Sequence, residues 1–324
     1  MPQLSRATLV DTVDLAFEQT VPRSLVHKRR LENVLLTDIR SCGDDRFVCA
    51  GHLPIAHRFF NEPGRAPRRD ILFYTELGRQ ASLAVSHAFL GVSTEDVFIF
   101  EQSEAKVADA AWTPTSSAAL EPALVEIRID ELTRRRNNAV NRVVAEHIMT
   151  IAGEEVFRGT GAWTVQPAAL FQRLRRMSAP RTAPPAASNV APFPAPVHVD
   201  GWRASAEHVV ITTPEYSADS GAFAATLIVN DNHPYFFDHP CDHVPGMLLL
   251  EACAQLAMAA VRTAVAGPPP LGIASYEVNF AQFVECGIPT RLSARLNDDR
   301  SIQISISQQD VLAGTTTLTL AFPA

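Results

Sequence analysis

Two stretches of the chain are apolar on almost every side, and the same pair of polar residues interrupts each. Over residues 247–261 only Glu251 and Gln255 break the apolar run. They stand four apart, so both leave one face of a helix. A helix that is apolar all round is a buried one. Pro245-Gly246 lies just ahead, a favourable start because first-turn N–H groups have no partner inside the helix. The earlier stretch predicts a helix over 71–90, with Glu76 and Gln80 in the same relation and Arg79 one turn after Glu76.

The flanks repeat as well. Phe47 lies ten residues before His57, and Phe223 ten before His233. Each of these histidines is followed by two phenylalanines, Phe59-Phe60 and Phe236-Phe237. Upstream, residues 34–37 (VLLT) match 209–212 (VVIT); downstream, 155–159 match 310–314. The chain therefore reads as two copies of one domain. Alternating segments predict strands at 47–53, 97–100, 124–129, 141–151 and 156–165 in the first copy. In the second they fall at 209–212, 223–229, 273–280, 291–296, 302–307 and 315–321. Several antiparallel strands around one long buried helix give an α+β class with a curved sheet. Residues 1–24 are a lead-in. Domain 1 spans 25–170, a Pro-rich linker 171–196 and domain 2 197–324.

Composition narrows the classes. The 324 residues fit two ordinary domains, and 47% hydrophobic content can bury real cores. A net charge of −7 argues against nucleic-acid or anionic-membrane partners. Five dispersed cysteines without a CxxC, and an N-terminus interrupted by Arg6, Asp11 and Asp14, point to a reducing, cytoplasmic setting. Residues 244–266 are long enough to span a bilayer. Glu251 and Gln255 near the middle favour a buried soluble helix instead.

Phe236-Phe237, His239, Pro245-Gly246 and Glu251-Ala252-Cys253-Ala254-Gln255 resemble the hotdog fold of β-hydroxyacyl-carrier-protein dehydratases. The whole chain resembles a narrower family, the A-factor (γ-butyrolactone) biosynthesis proteins of actinobacteria. The motifs are Val26-His27-Lys28-Arg29, His57-Arg58-Phe59-Phe60, Glu76-Leu77-Gly78-Arg79-Gln80, and Asp238-His239-Pro240 with Asp242 to Met247. The resemblance implies two tandem hotdog domains, each an antiparallel sheet around a long central helix, packed as a pseudo-dimer. It also implies transfer of a β-ketoacyl group from an acyl carrier protein to the hydroxyl of dihydroxyacetone phosphate, without a cofactor. The active species would be a monomer, as a pseudo-dimer, or a homodimer. One departure stands out: the family's second helix carries an Arg where this chain has Ala254.

Acyl transfer to an alcohol needs a base, donors for the tetrahedral oxyanion and a slot for the acyl chain. Glu76 or Glu251 serves as base if burial raises its pKa toward neutrality, with a slight preference for Glu251 near the thioester. His239 and His243 are the other catalytic candidates. Gly246 and Met247 offer helix N-terminal N–H groups. Arg79, Arg69 and Arg68 are the cations for a phosphate, and Gln80, Gln255 and His57 complete the expected binding set. No Ser or Cys nucleophile motif is present, so direct transfer is expected. The run His239, Cys241, His243 has the wrong spacing for the usual zinc pairs, and no metal is expected. The bland alternative makes both glutamates structural acids and Arg79 a helix-surface ion-pair partner. The other functional classes are a hydroxyacyl dehydratase or thioesterase, and a non-catalytic acyl-binding protein.

Overall fold

Alternation of apolar and polar residues becomes one continuous sheet. The computed structural model describes residues 13–54, 56–61, 70–108, 122–178, 202–203, 205–239, 241–265, 267–297 and 301–323. In the first half are β1 (Leu36–Gly43), β2 (Arg46–Gly51), α1 (Ile71–Phe89), β3 (Val97–Val107), β4 (Ala123–Arg134), β5 (Val140–Ile151) and β6 (Glu154–Gln166). α2 (Ala168–Ser178) follows. The second half holds β7 (Glu215–Ser217), β8 (Ala222–Thr226), α3 (Gly246–Ala264), β9 (Gly272–Phe280), β10 (Thr290–Leu296), β11 (Ser301–Gln308) and β12 (Val311–Ala321).

The strand order is β1-β2-β4-β5-β6-β3-β9-β12-β11-β10-β8-β7, all antiparallel. Read from either end, it is the same succession of equivalent strands. The two hotdog units meet where β3 pairs β9, Gln102 opposite Asn279 and Lys106 opposite Ser275. That seam joins two edges that separate units would leave open. α1 and α3 pack against the sheet and touch each other. Tyr276 on β9 fastens α1 to the seam, its hydroxyl 3.1 Å from both Thr75 Oγ1 and Ser103 Oγ.

Three features differ from the sequence reading. α2 occupies the start of the expected linker; the rest of that Pro-rich segment, 179–201, lies outside the described residues. Arg175 holds α2 down, forking onto Glu285 at 2.6 Å and reaching Asp242 at 3.0 Å. Residues 209–212 form only an isolated bridge, Ile211 to Leu227, instead of a strand, and β7 is an additional short edge. α3 is the one described helix long and apolar enough to cross a membrane, and most of it is buried in the core.

Candidate active site

Each long helix carries its glutamate into a buried cluster, and the two clusters repeat. Glu251 accepts hydrogen bonds from Trp202 Nε1 (2.9 Å), Arg203 Nε and Nη2 (2.8 and 2.7 Å) and Gln255 Nε2 (2.7 Å). Glu76 accepts from Arg79 Nε and Nη2 (2.8 and 2.9 Å) and Gln80 Nε2 (2.8 Å), with Lys28 Nζ at 3.0 Å. Lys28 and Arg203 stand the same 48 residues ahead of their glutamates. The glutamine amides are engaged within the protein. Gln80 accepts from Leu35 N and donates to Asn33 O; Gln255 accepts from Val210 N and donates to His208 O. Both amides are consumed latching the segments that contain VLLT and VVIT to the helices.

His57 is likewise structural. Its Nδ1 accepts from Phe59 N and Phe60 N at 3.2 Å, and Nε2 meets Asn33 Oδ1. In the second copy His233 Nδ1 accepts from Tyr235 N and Phe236 N. The structural equivalents of Phe59-Phe60 are therefore Tyr235-Phe236, one residue earlier than the Phe-Phe match in the sequence. Phe59 and Tyr235 stack on each other where the halves meet, centroids 4.4 Å apart and planes 10° apart.

The helix starts differ, and that difference separates the two carboxylates. Asp70 caps α1, its carboxylate accepting from Phe73 N at 2.9 Å and lying 3.5 Å from Arg203 Nη2. An acid thus fills the positive end of α1 and is tied through Arg203 to Glu251. α3 begins after Pro245, and among the described residues no side chain caps it. Its first N–H groups point out of the helix, with the partial positive charge of the dipole behind them. A cavity of about 1020 Å³ opens there. Gly246, Met247, His239 and His243 line it from the second half, and Glu76 and Arg79 from the first. Glu251, Gln80, Gln255 and His57 are not among its lining residues. Arg68 and Arg69 lie outside the described residues. Among the described residues no group of three His, Cys, Asp or Glu side chains is set to hold a metal.

A profile of the A-factor biosynthesis hotdog domain matches residues 10–165 and 186–323. The chain belongs to that family. Its relatives include proteins named 2-oxo-3-(phosphooxy)propyl 3-oxoalkanoate synthase. The one from Streptomyces virginiae is 29% identical over 297 residues, 90% of this chain and 94% of the relative. The one from Streptomyces coelicolor is 31% identical over 283 residues, 86% and 84% respectively. Among solved structures, an oleoyl thioesterase from Lactobacillus plantarum superposes with a TM-score of 0.52 at 14% identity, over 88% of this chain and 100% of that one. That likeness carries the fold alone.

The charges around Glu76 correct one chemical expectation. Burial by itself would push its carboxyl up, but Arg79 and Lys28 outweigh it and hold the carboxyl below its ordinary range. Glu76 is thus an ionised anchor for two cations, not an acid poised near neutrality. Sequence reasoning passed over Tyr235 and Asp70, and read Lys28 only as part of the Val26-His27-Lys28-Arg29 motif. The equal spacing of Lys28 and Arg203 from their glutamates was the available signal.

Three buried histidines and the half-buried His27 are neutral. Burial lowers His27 and His233 to about 3, with neighbouring His87 and His208 adding to it. Burial lowers His57 and His147 to about 4. Unfolding returns each to roughly 6.5, so between pH 4 and 6.5 the unfolded chain binds more protons. Stability then falls as pH falls through that window. The melting temperature should drop steadily from pH 6.5 to 4, with proton uptake on unfolding near pH 5 contributed by these four groups. A melting temperature flat across that range would contradict the assignment.

Proposed function

We propose that this chain is an acyltransferase acting at one site. It joins a β-ketoacyl group, presented as a thioester on an acyl carrier protein, to the hydroxyl of dihydroxyacetone phosphate. The observation that supports this most is the uncapped start of α3, which opens on the same cavity as Glu76, Arg79 and His239. The Gly246 and Met247 N–H groups suit the thioester oxygen, and suit it better as charge develops there. His239 takes the proton of the acceptor hydroxyl as that oxygen adds to the carbonyl, then returns it to the departing thiolate. Ionised Glu76 holds the Arg79 fork and the Lys28 ammonium toward the acceptor phosphate, where an unpaired dianion would be costly. Phe98, Phe100, Phe157 and Trp163 form an aromatic wall for the acyl chain.

Transfer is direct. Cys241 lines the cavity, but burial pushes its thiol up to about 11, so it is not a thiolate at neutral pH. The test is to give the protein a β-ketoacyl carrier thioester with and without dihydroxyacetone phosphate and to follow products by mass. The expected product is a phosphate-bearing ester formed only when the acceptor is present. Free acid released at the same rate without acceptor would contradict transfer and make the protein a thioesterase.

A further inference from the structure

Around their glutamates the two halves agree group by group, and the departures fall on one side. The Glu76 side has Arg79 where the other has Ala254, and an open helix start where the other has Asp70. The third departure lies in the stacked ring pair. Phe59 lies under the Arg203 guanidinium at 4.1 Å, and Tyr235 under Lys28 Nζ at 4.8 Å. The rings occupy equivalent places, but only Tyr235 carries a hydroxyl.

That hydroxyl is buried and has no hydrogen-bond partner among the described residues. Leaving a buried donor unpaired costs free energy, so such a group calls for an explanation. Packing does not supply one, because Phe59 shows that the same frame accepts a ring without the oxygen. Nor can the ring easily swing elsewhere: Phe59 stacks on it, and Phe60, Phe236 and His57 meet it edge to face or tilted. Tyr235 lines the cavity with Glu76, Arg79 and Lys28. Burial first, then the Glu76 charge, keeps its phenol protonated well above the ordinary range, and Glu76 and Arg79 bear on it more than Asp70 and Arg203 do. It is therefore a protonated O–H donor on a ring that lines the cavity beside the charged cluster of α1.

We propose that Tyr235 is a catalytic residue whose hydroxyl donates a hydrogen bond to an anionic oxygen of the bound substrates. This rests on the acyl-transfer reading above. Two oxygens share that chemistry: the acceptor phosphate, and the carbonyl oxygen that gains charge when the acceptor adds to the thioester.

The experiment is Tyr235→Phe, which removes one oxygen and recreates the ring of the other half. Because the hydroxyl has no partner among the described residues of the free protein, the melting temperature should stay the same or rise. kcat/KM for ester formation should fall roughly ten- to a thousandfold, from the loss of one hydrogen bond to a charged group at the low end to the loss of one donor to a developing oxyanion at the high end. A fall in kcat at constant KM places the bond on the carbonyl oxygen. A rise confined to the KM for dihydroxyacetone phosphate places it on the phosphate. Wild-type turnover with a variant within twofold of it overturns the assignment alone. So does a loss of activity matched by a loss of melting temperature, which is the mark of a packing role. If the wild-type protein forms no ester, the reaction reading fails and the assignment with it.

Discussion

Glu76→Gln is expected to lower kcat/KM for ester formation by roughly a hundredfold or more, the scale of losing several charge-assisted contacts at once. The carboxylate meets Arg79 through two nitrogens, Lys28 Nζ through one contact and Gln80 through another. An amide keeps the shape but offers one acceptor oxygen, and turns an NH2 toward donors. Two cations then share a buried space without their nearest counter-charge, and the more distant Asp238 bears only on Lys28. Arg79, whose side chain is 30% exposed, can swing toward water and leave the acceptor phosphate without its fork. Lys28, 5% exposed, cannot, so some stability is lost as well. Saturation kinetics for each substrate, beside a melting curve, separate the two effects. Wild-type kinetics in a folded variant would return Glu76 to a structural role.

Glu251→Ala should do the opposite. It should cost about 3–5 kcal/mol of stability, the usual consequence of removing one partner of a buried ion pair. Arg203 is 3% exposed and would keep its charge after losing both contacts to Glu251, with Asp70 at 3.5 Å; the Trp202 indole would lose its bond to Glu251. Ester formation per folded molecule should remain near wild type, because the carboxylate is fully buried and stands apart from the cavity. Urea unfolding followed beside activity reads both numbers. An activity loss that exceeds the unfolded fraction would make Glu251 a catalytic group, as the sequence on its own favours.

Periodicity carried most of the fold. The apolar runs around Glu76 and Glu251 mark both central helices, and the repeat of VLLT with VVIT and of the two His turns marks the duplication. Such patterns are local, so a single sequence displays them. α2 was not legible, because it sits at the head of a Pro-rich stretch and is held by Arg175 reaching Asp242 and Glu285 far along the chain. Nor was the choice between the glutamates. Duplication makes them equivalent in sequence, and the slight preference for Glu251 rests on its nearness in sequence to the helix start expected to hold the thioester. In three dimensions the His239 loop and the start of α3 face the helix of the other half, so His239 and Gly246 line one cavity with Glu76. Asp70 against Pro245 as the cap residue decides which helix start is open, and a capping difference acquires that meaning only once both starts are placed. The expected rise in the Glu76 pKa failed for a related reason: Lys28 lies 48 residues before Glu76, and its charge joins that of Arg79 only after folding brings the two to 3.0 Å.

The claim of one site, between Glu76 and the start of α3, is tested most directly by locating a bound donor. A crystal structure with an amide analogue of a β-ketoacyl pantetheine thioester would show it without turnover. The predicted result places the amide oxygen within hydrogen-bonding distance of the Gly246 or Met247 N–H, with Arg79 and His239 lining the same space. An analogue seated instead beside Asp70 and Glu251, with the start of α3 vacant, would contradict the account.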